Sequence, residues 1–226
     1  FHFKYNPALA DEIISHELEE AGAEKIDGYW YYNGEQIEIT FFIRSDDPVR
    51  KSIGEILSSE LEKIGFKVNK DFGDLNKAFV VVYGSNPAEQ KWHLYTEGWG
   101  SSGFAKYDSV GLAQMYSPWF SNMPGNNDPT YWNYKNDYID SITKKIYVSD
   151  FKSAEERSSL IKQATKEGVS ESVRIFLASK TDQYVANDDI DGIINALGAG
   201  VPTRFTTMNA KSDNDSLVIG VKQIYQ

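Results

Sequence analysis

The stretch of sequence that decides the fold runs from Ile37 to Val68 and reads IEITFFIRSDDPVRKSIGEILSSELEKIGFKV. It opens with β-branched and aromatic residues, which are typical of a buried strand. Ser45-Asp46-Asp47-Pro48 then combines helix-capping side chains with a proline suited to a first helical turn. Apolar residues follow at helical spacing as far as Gly65, which is typical of a helix end. Strand, helix and strand in this order predict a βαβ unit with neighbouring parallel strands and a right-handed crossover.

The residues before this unit carry two clear signals of local structure. An amphipathic pattern over residues 7–21 follows Asn6, a favoured capping residue, and stops at Gly22, so it predicts a helix. Asn33-Gly34 is the strongest short hairpin signal, and it lies between Tyr29–Tyr32 and the strand over 37–43. The first part of the chain is therefore predicted to run helix, hairpin and βαβ unit.

The rest of the chain alternates predicted helices and strands. Residues 75–83 fit either helix or strand, and the run Val80-Val81-Val82 favours strand. Periodicity and caps predict helices over 110–116, 137–148 and 153–168, and strands over 92–97, 172–178, 204–208 and 217–221. We expect an α/β fold in which helices flank a mixed sheet.

Composition excludes several classes of function. A net charge of −10 and a pI near 4.8 argue against a nucleic-acid partner or an anionic membrane surface. The absence of cysteine excludes disulfides, thiolate metal sites and a cysteine nucleophile. His2, His16 and His93 are too far apart in sequence to predict a zinc site. Both ends of the chain start or stop in mid-pattern, so we expect a piece of a longer protein.

A second informative stretch, residues 92–103, reads WHLYTEGWGSSG. It alternates like a half-buried strand and ends in glycines around Trp99, which allow a close approach of another molecule. Ligands of open α/β sheets bind outside the carboxyl ends of the strands. We therefore interpret Trp99 as the wall of a site, with a core tryptophan beside a glycine turn as the alternative.

Other candidate ligand contacts lie near this tryptophan or in the long polar loop 117–134, because loops of this length are usually functional or mobile. Aromatic faces mixed with a few polar groups suit peptides, sugars or aromatic ligands, although each residue could instead pack beneath the loop. Arg174 could meet a ligand carboxylate, but an ion pair with a helix carboxylate is the favoured alternative. The candidate ligand-binding residues are Trp99, Ser101, Ser102, Tyr107, Asp108, Trp119, Trp132, Tyr134 and Arg174.

Catalytic signatures are weak throughout the sequence. The serines at 101 and 102 do not meet the G-x-S-x-G spacing, and no phosphate-binding glycine loop occurs. Residues 187–192 begin like a calcium loop, but Gly198 stands where the twelfth-position Glu is needed. We expect no enzyme activity, no catalytic residue, no cofactor and no metal site.

The order of these signals resembles a known family. The chain resembles the C-terminal lobe of extracellular solute-binding proteins. The matching features are Asn6-Pro7, the Asn33-Gly34 hairpin, the helix over 48–64, Gly98-Trp99-Gly100 and the strand from Ser172 to Phe176. These proteins serve the peptide, dipeptide and oligopeptide ABC importers, and the resemblance covers about residues 5–195. It implies one lobe of a periplasmic-binding-protein-like type II fold. Residues 1–195 would form the C-terminal ligand-binding lobe, and 196–226 a strand-rich return towards a missing N-terminal lobe.

The resemblance also implies a function. The protein would capture a solute, with a peptide as the favoured solute, and deliver it to an ABC permease. The location would be extracellular, at the cell surface or periplasmic, with the full-length protein anchored to a membrane. The implied partners are a small-molecule or peptide ligand, the missing N-terminal lobe and the permease, without nucleic acid.

One departure from the family pattern bears on the solute. Members often carry an aspartate three residues after the tryptophan that can pair with a peptide's amino terminus, and here that position is Ser102. A hydroxyl cannot neutralise an ammonium group, although Asp108 could substitute for the aspartate. Capture of a sugar or another non-peptide solute, and a structural surface-layer module without a ligand, are the alternatives.

Overall fold

The computed structural model describes residues 4–99, 107–179, 183–194, 201, 204–213 and 218. The chain divides into two compact units. Unit 1 comprises Phe1–Gly98 and Ser121–Lys135, and unit 2 comprises Trp99–Phe120 and Asn136–Gln226.

Unit 1 contains most of the strands. Its elements are α1 (Pro7–Glu20), β1 (Glu24–Ile26), β2 (Tyr29–Tyr32), β3 (Glu35–Gln36), β4 (Glu38–Arg44), α2 (Pro48–Ile64), β5 (Lys67–Gly73), α3 (Leu75–Ala78) and β6 (Leu94–Tyr95). A π-helical turn (Phe79–Tyr83) continues α3, and 3₁₀ turns occupy Pro87–Glu89 and Pro129–Tyr131.

Unit 2 is mainly helical. Its elements are α4 (Tyr107–Tyr116), α5 (Asp137–Tyr147), α6 (Ala154–Glu171), β7 (Ile190–Asp191), α7 (Arg204–Asn209) and β8 (Lys211–Ser212). Helices α4, α5 and α6 pack together around Ile142, Ile146 and Ala164, all of which are buried. None of the described helices of either unit is long and apolar enough to cross a membrane.

The predicted βαβ unit is confirmed. Strand β4 lies at the centre of a three-stranded sheet of order β5-β4-β6, and it is parallel to both neighbours. The crossover helix α2 begins after Asp47, whose carboxylate accepts hydrogen bonds from the backbone N–H groups of Val49 and Arg50. Because a Cβ atom on Gly54 would lie 2.6 Å from Ile43 Cγ2, the glycine allows α2 to pack closely on the sheet.

The predicted Asn33-Gly34 turn is confirmed, but it joins β2 to the short strand β3 rather than to the predicted strand 37–43, in a separate antiparallel sheet of order β1-β2-β3. Asn33 and Gly34 have φ angles of 51° and 83°, as a two-residue hairpin turn requires. The predicted strand 37–43 begins one residue later, at Glu38. Trp30 of β2 is fully buried, and its Nε1 donates to the carbonyl of Ile64 at 3.1 Å.

Several sequence predictions need correction. The strand preference for 75–83 was wrong, since α3 and the π-helical turn bury Ala78 and Val82 on one helical face. Residues 204–208 lie in helix α7, and the predicted strand 217–221 lies outside the described residues except for position 218. The predicted strand 92–97 is present, but its ladder is limited to Leu94–Tyr95.

Two corrections concern the end of helix α6. The helix does not stop at Gly168 but continues to Glu171, and Ser172 ends it in the left-handed conformation. Gly168 instead allows α6 to approach Tyr116, because a Cβ atom there would lie 2.6 Å from the tyrosine ring. Residues 173–179 are irregular, and Ile175, Phe176 and Leu177 are all exposed rather than alternating. No described strand pairs with them, which explains why the predicted strand 172–178 does not form.

The end of α2 yields a prediction about stability. Gly65 has φ +112°, and a Cβ atom there would lie 2.5 Å from the carbonyl oxygen of Gly28. The matched control is Gly22, which has φ +87° and nothing within 4 Å of its Cβ position. We expect Gly65→Ala to lower the free energy of unfolding by about 3 kcal/mol, and Gly22→Ala by about 1 kcal/mol.

Urea unfolding of both variants, followed by circular dichroism, measures the difference. Equal losses would mean that backbone strain alone limits these positions and that the contact with Gly28 is not tight.

Candidate functional site

The carboxyl ends of the three parallel strands lie at one edge of the sheet in unit 1. In open α/β sheets such an edge is where ligands bind. Strand β4 delivers Arg44 to this edge, and β6 delivers Tyr95 and the following Glu97. We name the group formed by Arg44, Asp46, Tyr83, Tyr95 and Glu97 the carboxyl-edge cluster.

Arg44 is the fixed cation of the cluster. Its side chain is only 8% exposed, and the guanidinium binds Asp46 bidentately, with Nε 2.7 Å from Oδ1 and Nη2 2.8 Å from Oδ2. Its Nη1 donates to the Tyr95 hydroxyl at 3.2 Å, and its backbone N–H donates to Thr96 Oγ1 at 2.9 Å. These bonds hold the side chain in one orientation at the end of β4.

The ion pair shifts the titration of both partners. The hydrogen bonds to Asp46 raise the pKa of Arg44, and the same bonds lower the pKa of Asp46 from its ordinary value of 3.8. The pair therefore stays ionised at neutral pH and contributes almost no net charge to the edge.

Aromatic rings form a row behind these charges. The ring of Tyr95 lies 5.5 Å from that of Phe42 and meets that of Tyr83 edge-on at 6.2 Å, while Phe79 lies 5.8 Å from Tyr83. The Tyr83 hydroxyl donates to Glu97 Oε1 at 2.5 Å. A π-helical turn contains one more residue than an α-helical turn, and here it directs Tyr83 to the sheet edge. The edge thus presents aromatic surface, hydroxyls and a carboxylate.

Gly98, the residue before Trp99, is explained by Arg50. The guanidinium of Arg50 lies 3.3 Å from Asp47 Oδ2, and its Nη2 donates to the carbonyl of Gly98 at 3.4 Å. A Cβ atom on Gly98 would lie 2.4 Å from that nitrogen. The glycine therefore admits a side chain of the same chain rather than a ligand.

Trp99 lies in unit 2 and is 37% exposed. The guanidinium carbon of Arg174 lies 5.4 Å from the centroid of its ring. The Nε of Arg174 donates to the backbone carbonyl of Met115 at 2.6 Å. These two predicted site residues are therefore brought together within unit 2.

Trp119, also in unit 2, lies in an aromatic cluster. Its ring meets those of Phe120 and Tyr147 edge-on at 5.4 and 5.7 Å. Its Nε1 donates to Thr143 Oγ1 at 3.3 Å, and Lys144 Nζ lies 5.7 Å from the ring centroid. Packing and hydrogen bonding within the unit account for much of the surface of this residue.

Of the six other predicted site residues, the structure describes the side chains of only two. Trp132 and Tyr134 are half-buried in unit 1, and Trp132 Nε1 has no hydrogen-bond partner among the described residues. Tyr107 and Asp108 lie in the first turn of α4, but their side chains lie outside the described part of the chain, as do Ser101 and Ser102.

Sequence reasoning missed the carboxyl-edge cluster, although Tyr95 and Glu97 lie within the stretch 92–103 that it singled out. A signal was available, because Arg44 directly follows the predicted strand 37–43 and Asp46 lies in the turn before a predicted helix. Such strand-to-helix turns form the ligand-facing edge of α/β sheets.

Among the described residues, no group of three or more His, Asp or Glu side chains could hold a metal ion. An open groove of about 660 Å³ lies beside the start of β5, with Tyr29, Tyr31 and Lys67 in its lining. It is at the opposite end of β5 from the carboxyl-edge cluster.

The fold of this chain, but not its sequence, is similar to that of known proteins. No protein-family model matches the sequence, and no curated protein matches it. The order of elements and the mixed α/β architecture are similar to part of several solved binding proteins, and the predicted fold class, an α/β fold of the periplasmic-binding-protein-like type, is confirmed.

Three solved structures illustrate the similarity. NikZ from Campylobacter jejuni, in complex with Ni(L-His), has a TM-score of 0.60 and 21% identity over 94% of this chain and 40% of its own. MelB from Agrobacterium fabrum, in complex with stachyose, has a TM-score of 0.53 and 20% identity over 73% of this chain and 24% of its own. The oligopeptide-binding protein from Thermus thermophilus, with a pentapeptide, has a TM-score of 0.52 and 20% identity over 76% and 29%. The chain thus spans at most 40% of the length of these three proteins.

The Arg44–Asp46 pair yields a prediction about pH. Because the folded-state pKa of Asp46 is lowered, the pair contributes stability above the ordinary carboxyl pKa of 3.8 and loses that contribution as the pH falls below it. We expect Asp46→Asn to cost about 1–2 kcal/mol at pH 7, a value reduced for the partial exposure of Asp46. The difference from the unsubstituted protein should be smaller at about pH 3 than at pH 7, because the contribution is lost as the pH falls through the lowered pKa of Asp46.

Urea unfolding at the two pH values measures this effect, with Asp150→Asn as the control substitution of an exposed carboxylate. A loss of the same size at both pH values would assign the role of Asp46 to packing rather than to charge.

Proposed function

We propose that this chain captures a small solute non-covalently, as the C-terminal ligand-binding part of a solute-binding protein for an ABC importer. The observation that carries this function is the similarity of its fold, over 94% of the chain, to a solute-binding protein. The three proteins compared were solved with a nickel chelate, a saccharide and a peptide, so the shared fold accommodates several solute classes.

The described surfaces support binding rather than catalysis. In unit 1 the carboxyl-edge cluster offers aromatic rings beside a hydroxyl and a carboxylate, a combination common in small-molecule sites. In unit 2 the indole of Trp99 keeps 37% of its surface exposed. We assign no catalytic step to the chain. The residues proposed to contact the solute are Trp99, Ser101, Ser102, Tyr107, Asp108, Trp119, Trp132 and Tyr134. Arg174, the remaining predicted residue, lies against Trp99.

A peptide is the first candidate solute and a saccharide the second. An extended peptide matches the aromatic and polar mixture of the predicted contacts. The saccharide is favoured by Ser102, which cannot neutralise a peptide ammonium group, and an exposed indole can also stack on a sugar ring. The two candidates are distinguished by direct titration.

The remaining assignments follow from this function. Residues 1–195 form the ligand-binding lobe, and 196–226 lead towards an N-terminal lobe in the full-length protein. That protein acts outside the cytoplasmic membrane, anchored to it, and delivers its solute to a permease.

Heteronuclear NMR of the ¹⁵N-labelled 226-residue chain tests the proposed function, with pentaalanine, stachyose and the Ni(L-His) chelate as probes. We expect pentaalanine to shift the Trp99 indole resonance, with a dissociation constant of about 1 mM or weaker. The affinity should be low because a single lobe covers less of a ligand than the roughly 70–90% that pockets bury.

Trp99→Ala should abolish the shifts that the probe causes in the backbone amide resonances of the chain, whereas Ile56→Ser, at an exposed position on α2, should leave them unchanged. A response to stachyose alone would replace the peptide with a sugar. If none of the three probes causes shifts at a concentration about 20-fold above this expected dissociation constant, solute capture is contradicted. If a probe binds with a submicromolar dissociation constant, the need for a second lobe is contradicted.

A further inference from the structure

Trp99 and Arg174 form a cation–π pair in unit 2 that joins three segments of the chain. Trp99 follows the turn after β6, Arg174 follows α6, and Met115 lies in the last turn of α4. The guanidinium carbon lies 5.4 Å from the centroid of the indole, within the range of a favourable cation–π contact.

The end of α4 holds the arginine in this position. The last four carbonyl groups of a helix have no partner within the helix, and Met115 carries one of them. Arg174 Nε donates to this carbonyl at 2.6 Å. A cation is also favoured at the negative end of the helix dipole. One side chain therefore satisfies the helix end and lies against the indole at the same time.

The indole needs such support. Trp99 lies between Gly98 and Gly100 in the sequence, and glycine neighbours restrict the backbone less than any other residue. A mobile aromatic ring loses conformational entropy when a ligand immobilises it, and this loss weakens binding. A ring that is already held in its binding orientation avoids the loss.

We propose that Arg174 is a positioning residue that holds the Trp99 indole in one orientation for the solute. It acts by stacking on the ring while the end of α4 fixes its own guanidinium. This role differs from the two sequence-based alternatives, direct contact with a ligand carboxylate and an ion pair with a helix carboxylate. It rests on the proposed solute capture only for its effect on affinity, because the orientation of the ring can be measured without a solute.

Fluorine NMR of the chain labelled with 5-fluorotryptophan tests the orientation. The five tryptophans give five resonances, and Trp99→Phe and Trp119→Phe identify two of them. In Arg174→Met we expect the Trp99 resonance to shift and to narrow as the ring gains mobility, while the other four stay in place. Arg174→Lys keeps the charge but lacks the planar group and Nε, so it should produce the same narrowing.

Lys144→Met provides the matched control, because Lys144 Nζ lies 5.7 Å from the Trp119 ring in the same unit. It should change the Trp119 resonance and leave that of Trp99 unchanged. If Arg174→Met and Arg174→Lys retain the other four resonances but leave the Trp99 line width unchanged, Arg174 does not position the ring. If Arg174→Met fails to fold, Arg174→Lys decides alone.

A second readout links the ring to binding. The probe is pentaalanine, or stachyose if only the sugar binds. Arg174→Met should raise its dissociation constant about threefold to tenfold in the original chain. In the Trp99→Phe background the same substitution should leave the dissociation constant unchanged. Equal weakening in both backgrounds would mean that Arg174 contacts the solute itself, which overturns the positioning role but not solute capture. If no probe binds, solute capture fails, and the Trp99 line width still decides whether Arg174 holds the ring.

Discussion

The structure of unit 1 depends on the parallel pairing of strand β4 with both of its neighbours. Its seven residues align with β5 from Glu38 to Arg44, and Phe41 and Phe42 pair with β6 on the other side. Phe41, Phe42 and Ile43 are buried, so the strand contributes core on both faces as well as hydrogen bonds on both edges. A strand in this central position brings its carboxyl end to the same edge as those of its neighbours.

That edge explains why a charged residue can be buried where an apolar strand ends. Arg44 is 7% exposed, and the desolvation of its charge is offset by a bidentate carboxylate and a tyrosine hydroxyl. Tyr95 contributes to both parts of the edge, since its hydroxyl accepts from Arg44 while its ring packs on Phe42. The side chain of Tyr95 thus links the charged part of the edge to its aromatic part.

Local signals predicted the elements whose ends are decided by a few neighbouring atoms. Asn6, Asp47 and Ser153 cap helices α1, α2 and α6 where the sequence predicts that helices begin, because each side chain bonds a backbone N–H only two or three residues away. Predictions failed where distant contacts decide. Gly168 reads as a helix end until its approach to Tyr116 is known, and Val80 is 71% exposed on a helical turn despite its strand-like composition.

The candidate site was predictable to a similar degree. Trp99 was singled out because glycines follow a predicted strand, whereas the pairing of Arg44 with Asp46 depends on side-chain geometry within a turn, which no periodic pattern encodes.

The division of the chain into units has a consequence for its synthesis. Unit 1 includes Ser121–Lys135, so it cannot be completed when its first 98 residues have left the ribosome. The 22 residues from Trp99 to Phe120, which belong to unit 2, emerge before unit 1 has received its last segment. Unit 1 is therefore incomplete until residue 135 has emerged, and a chain exposed only to about residue 120 contains an unfinished first unit together with helix α4 of the second.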